Sequence, residues 1–128
     1  MTIVPEAAAD DELPATDDAS LDRLRRFGGG KLLTEMITLF LASVPERLGA
    51  ARNGLASGDV AAIEMALHSL KSSSAQLGAM RMQRLSERGE RQARTGSLDG
   101  IAPIMDDLEA EFPRIQHWLD RARTAEVP

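Results

Sequence analysis

The chain has 128 residues, 43% of them hydrophobic, with no cysteine and two histidines; that is one domain at roughly 100–200 residues each, and it excludes a disulfide framework, thiolate metal sites and a cysteine nucleophile. Three Phe, one Trp and no Tyr argue against a β-sandwich or barrel and against modules that stack nucleic-acid bases on aromatic rings. The net charge of −5 is unevenly spread: residues 1–19 hold six acids (Glu6, Asp10, Asp11, Glu12, Asp17, Asp18) and no base, and the rest carries 15 bases against 14 acids, which leaves no bulk positive field for nucleic acid.

Residues 1–19 are expected to be a disordered acidic lead-in or linker, because alanine, proline and acids follow one another there without an apolar period. They lack the basic and apolar regions of a signal peptide. The short apolar runs elsewhere predict no membrane span, so a soluble, cytoplasmic protein is expected. Order should begin at Ser20, read as an N-cap, and a helical domain should occupy residues 20–124. A short amphipathic segment, Leu21 to Phe27, precedes Gly28-Gly29-Gly30, which should turn the chain. That glycine run is no phosphate loop, since Lys31 is not followed by Ser or Thr and no strand precedes it.

From Lys31 to about Leu55, the apolar residues Leu33, Ile37, Phe40, Val44, Leu48 and Leu55 recur at helical steps, with Pro45 expected to kink the helix. Ser57-Gly58-Asp59 should end it and cap the next. A second helix is predicted from about Val60 to Leu77 on Ile63, Leu67, Leu70 and Leu77, and Gly78 breaks it. A third runs from about Ala79 to Arg94, with Met82, Leu85 and Ala93 apolar and Gly89 awkwardly internal. The last, about Asp99 to Arg123, uses Ile101, Met105, Leu108, Phe112, Ile115 and Leu119. Pro103 suits its first turn, and Pro113 should bend it. The predicted fold is all-α: an antiparallel four-helix bundle with a short extra N-terminal helix.

The second helix holds the candidate chemistry. With its apolar stripe at 0° and about 100° per residue, His68 falls at about 140°, Glu64 at about 100°, Lys71 at about 80°, Ser72 at about 180°, Ala75 at about 120° and Met65 at about 200°. The histidine therefore stands towards solvent among small residues, with an acid one turn before it and a lysine one turn after. A neutral imidazole is a nucleophile near pH 7, and small neighbours let another protein approach closely. Lys71 lies on the same side and can neutralise a phosphoryl group on the ring. Glu64, or a carboxylate of the next helix, could hold the other ring nitrogen. An ordinary exposed helix histidine fits the same geometry.

The segment ALHSLKSSSAQLGA strongly resembles the phosphoacceptor helix of histidine-containing phosphotransfer (HPt) domains, whose pattern is His-x-x-Lys-Gly followed by small residues and a Leu-Gly-Ala end. The resemblance runs from about Leu21 to Leu119 and takes in LDRLRRFGGGKLLTEMITLFLASVPERL and SGDVAAIEMALHSLK. It implies that His68 is phosphorylated, that Lys71 is its charge partner, and that the chain is a phosphoryl carrier between aspartates of receiver domains, without enzymatic turnover. It implies response-regulator receiver domains and a hybrid sensor histidine kinase as partners, no resident cofactor, and magnesium on the receiver. A monomer is expected, and a stand-alone protein and a domain of a larger kinase both remain open.

One departure stands out: Ser72 replaces the family's usual glycine. Glu90 lies 22 positions after His68, where some family members hydrogen-bond the imidazole, and Gln83 competes for that role. Arg81, Arg84, Arg88 and Arg91 form either a solvated face or a basic strip for the acidic rim of a receiver. Met65, with Leu32 or Met36, is a candidate docking residue, whereas Met36, Met80 and Met82 also suit core filling. His117, beside Trp118, Asp120 and Arg121, reads as a surface residue. Two other functions stay in view. One is an HPt-like interaction module or inhibitor that binds receivers or kinases without transfer. The other is a metal-carrying or enzymatic bundle, which the spacing Glu64 to His68 and the lack of a second copy argue against.

Overall fold

A computed structural model describes residues 13–126, and residues 1–12 of the acidic lead-in lie outside the described residues. Four helices follow in chain order: α1 (Asp18–Ser57), α2 (Val60–Leu77), α3 (Met80–Arg94) and α4 (Ile101–Ala125). Each packs on its sequence neighbour, and α4 closes against α1, so the amphipathic stripes meet in one core as an antiparallel bundle. Leu33, Ile37 and Val44 of α1, Ile63, Leu67 and Leu70 of α2, Met82 and Leu85 of α3, and Met105, Leu108, Ile115 and Leu119 of α4 are fully buried or nearly so. These are the residues at three- and four-residue spacing, and their burial is the main driving force for assembly.

The expected short N-terminal helix is the first arm of α1. The chain leaves helical geometry at Gly29 (φ 77°, ψ −177°), in a region open to glycine and strained for other residues. The arm starts earlier than Ser20: Asp17 is the N-cap, accepting from the Ala19 N–H at 3.1 Å, and Ser20 is buried. The last residues of the lead-in are tied to the bundle. The Asp17 N–H donates to the Gly78 carbonyl at 2.9 Å, the Arg81 N–H donates to the Ala15 carbonyl at 3.1 Å, and the Arg84 guanidinium donates to the Pro14 carbonyl at 3.0 Å.

Neither internal proline interrupts its helix: the backbone stays helical through Pro45 and Pro113. Both are exposed, so each ring costs one backbone bond on the solvent side without displacing core packing. Gly58 and Gly78 end α1 and α2 in left-handed caps, and Asp59 caps α2 through the Ala62 N–H. Over 18 residues α1 is long and apolar enough (mean hydropathy 1.2) to match a membrane span by length and composition. The short apolar runs predict no such helix; in the bundle, Leu33, Ile37, Phe40, Val44 and Leu48 of α1 are buried against the other helices.

Candidate functional site

His68 sits midway along α2 with its side chain 58% exposed, because the core stripe of that helix occupies the other side. Beneath it, Leu67 is fully buried and packs where α3 carries Gly89. A β-carbon at Gly89 would lie 2.5 Å from Leu67 Cδ1. The glycine that looked awkward inside a helix is therefore what lets α2 and α3 approach at this level. The next residue along α3, Glu90, is brought against the histidine.

The contact is direct: His68 Nδ1 lies 2.8 Å from Glu90 Oε1. Lys71 Nζ lies 2.8 Å from the other oxygen, Oε2. The Arg94 guanidinium reaches Glu90 Oε1 at 2.5 Å and, through Nε, Glu64 Oε1 at 2.9 Å. The Glu90 side chain is only 2% exposed. Burial alone would raise its carboxyl pKa, but the contact with Lys71, the hydrogen bond to His68 and the charges of Lys71 and Arg94 outweigh burial and hold it below the usual carboxylate range. An ionised carboxylate can only accept, so Nδ1 carries the proton and donates. In the neutral ring, this tautomer leaves the lone pair on Nε2, on the far side of the ring.

An open depression beside the ring is lined by Ala61, Glu64, Met65, His68, Glu90 and Arg94. Met65 is 70% exposed there, and Ser72 and Ala75 continue the exposed face past His68. The structure thus brings together His68, Lys71, Glu64, Met65 and Glu90. It separates the other candidates. Gln83 precedes Glu90 by seven residues on the same face of α3, about 10 Å along the axis, and is level with the end of α2. Arg88 points about 160° away from Glu90 around α3. Arg84 turns to Pro14, and Arg81 lies 3.7 Å from the buried Glu111. Glu64 meets Arg94 rather than the imidazole. His117 lines a separate depression with Asp120 and Arg121.

Arg94 is the member of the cluster that sequence reasoning missed. Its signal was the four-residue step from Glu90, a common helical ion-pair spacing that gains meaning only once Glu90 is known to face His68. Among the described residues, no three His, Asp or Glu side chains converge as a metal-ligand set.

A family model described as Hpt domain matches residues 35–125. The fold is similar to the crystal structure of histidine-containing phosphotransfer protein B (HptB) from Pseudomonas aeruginosa PAO1, at 25% identity and a TM-score of 0.83 over 88% of this chain and 96% of that one. It is also similar to the HPT domain of a sensor hybrid histidine kinase from Shewanella, at 20% identity and a TM-score of 0.71 over 87% of this chain and 94% of that one. No curated protein matches the chain.

Proposed function

The chain belongs to the Hpt domain family, and from that premise we propose that it carries a phosphoryl group on Nε2 of His68 between aspartates of receiver domains. The observation that supports this most directly is the 2.8 Å contact from Nδ1 of an exposed histidine to a buried, ionised glutamate. A hydrogen bond at one ring nitrogen sets the tautomer and makes the other the nucleophile.

In the transfer step the Nε2 lone pair attacks phosphorus, an N–P bond forms, and the P–O bond to the receiver aspartate breaks. The aspartate carboxylate leaves with the electron pair, and the Nδ1 proton stays in place. Positive charge develops on the ring as the bond forms. Glu90 is already placed to stabilise it, without reorganisation, as a preorganised carboxylate does. Lys71, one helical turn from His68, is paired with Glu90 Oε2; to supply the opposite charge to phosphoryl oxygens on Nε2 its flexible side chain swings from that carboxylate towards the exposed face. The return step runs the same bonds backward onto a second aspartate, so the chain is a carrier and gains no turnover of its own. In this reading the magnesium of the reaction belongs to the receiver.

Incubation with a labelled, phosphorylated receiver tests the proposal. The chain should take up acid-labile label, and His68→Gln should take up none while keeping its helicity and melting temperature, because an exposed side chain contributes little to the core. Uptake by His68→Gln would refute the acceptor assignment. A wild-type chain that binds the receiver without taking label would point to an interaction module instead.

A further inference from the structure

Glu90 can orient the imidazole only if its own carboxylate is held, and two cations hold it from opposite ends. Lys71 pairs with Oε2 and Arg94 with Oε1, the same oxygen that faces His68 Nδ1. Arg94 is further anchored to Glu64, so its guanidinium spans from α3 back to α2 across the depression beside the ring. We infer that Arg94 is a positioning residue for phosphoryl transfer: by tying Glu64 to Glu90 it fixes the carboxylate oxygen that sets the His68 tautomer. The inference rests on His68 being the phosphoacceptor.

Two features separate this role from a structural one. The Arg94–Glu64 pair is exposed (54% and 38%) and contributes little to stability, and although Glu90 is only 2% exposed, Lys71 remains on its other oxygen when Arg94 is removed. The planar fork of Arg94 nonetheless divides between two carboxylates on two helices, a geometry that one ammonium cannot copy. With Arg94 gone, Lys71 still holds Oε2, but Oε1 can swing with the carboxylate about that single anchor. The Nδ1–H then loses a fixed acceptor and the ring can exchange its tautomers.

The test compares wild type, Arg94→Gln and Arg94→Lys, each with 15N-labelled histidine. Nitrogen shifts of His68 are recorded at a pH where the ring is neutral, and label uptake from one phosphorylated receiver is timed. Wild type should show the proton on Nδ1. Arg94→Gln should move the ring to a mixture of tautomers and slow uptake about tenfold, the order at which partners that orient a functional histidine act. Its helicity should match wild type, so that tautomer and rate are read on a folded chain, although the buried Glu90 loses one of its two cations. Arg94→Lys should recover part of both readouts.

Should Arg94→Gln unfold, Glu64→Gln, which removes only the distal anchor, should show the same tautomer shift in milder form. An Arg94→Gln protein with wild-type tautomer and rate overturns the inference. So does slower uptake with an unchanged tautomer, which would place Arg94 in contact with the receiver. Because His68→Gln separately tests the acceptor, the inference can fail while the carrier reading stands.

Discussion

Gly89→Ala is the perturbation in which fold and site are most tightly joined. The added β-carbon would lie 2.5 Å from Leu67 Cδ1 and 3.4 Å from Ile104 Cγ2, whereas carbon atoms pack at about 3.5–4.0 Å. The shortfall is about 1 Å. Leu67 is the end of a flexible chain but is fully buried, so it cannot yield without moving its neighbours or the helix. Overpacking of this kind costs about 1–3 kcal/mol, and alanine returns about 0.5–1 kcal/mol in a helix interior. The net loss lies between about 0 and 2.5 kcal/mol, with a middle value of about 1 kcal/mol, which at an m-value of about 2 kcal/mol/M lowers the urea midpoint by about 0.5 M and by about 1.2 M at most.

A shift of α3 by the same amount would stretch the His68–Glu90 contact from 2.8 Å beyond hydrogen-bond range, so label uptake should fall together with stability. Leu67→Val removes the colliding atom, and the double variant should lose less stability than the two single losses summed. Urea titrations of the four proteins, alongside transfer rates from one receiver, decide the matter. A Gly89→Ala protein more stable than wild type and equally fast would refute the close-approach argument, because helix propensity would then have outweighed the clash.

Ser72→Gly should speed transfer if the hydroxyl crowds the receiver, with a loss of about 0.5–1 kcal/mol for glycine inside a helix; rapid-quench transfer that is slower in an intact variant would show instead that the hydroxyl holds a phosphoryl oxygen. Glu111 is 98% buried on α4, and burial raises its carboxyl pKa despite the nearby charges of Arg81, Arg114 and Arg84. A carboxyl raised in the folded state contributes stability at pH below its ordinary value and loses it as pH climbs through the raised one. Glu111→Gln should therefore have a higher denaturant midpoint than wild type at pH 7 and a similar one near pH 4, and a gap that widens on acidification would reverse the sign argued here.

How far the sequence reached can be judged at particular residues. The stripes Ile63, Leu67, Leu70, Leu77 and Ile101, Met105, Leu108, Ile115, Leu119 determined both helix type and core membership, since a 3.6-residue period leaves one buried face and few folds that can cover it. The same stripe determined that His68 points outward, and Gly58 and Gly78 determined where helices end, because both properties are local. The bend at Gly29 is local too: helical geometry lapses there, between the short N-terminal helix and the long one.

The partner of the imidazole was decided elsewhere. Glu64, Gln83 and Glu90 all met the chemical requirement, and choosing among them needs the register of α3 against α2, which no periodicity encodes. The packing of Leu67 into the gap at Gly89 sets that register, places Glu90 opposite His68, and leaves Gln83 about 10 Å up the helix. Arg94 acquires its role from the same registration, and Arg81 lies 3.7 Å from the buried Glu111 of α4, a neighbour that the spacing of α3 alone does not show. The sequence predicts a kink at Pro45 and a bend at Pro113, because it shows the missing donor but not the side of the helix it lies on. Only the assembled bundle placed both prolines on the solvent face, where the lost bond leaves the core undisturbed.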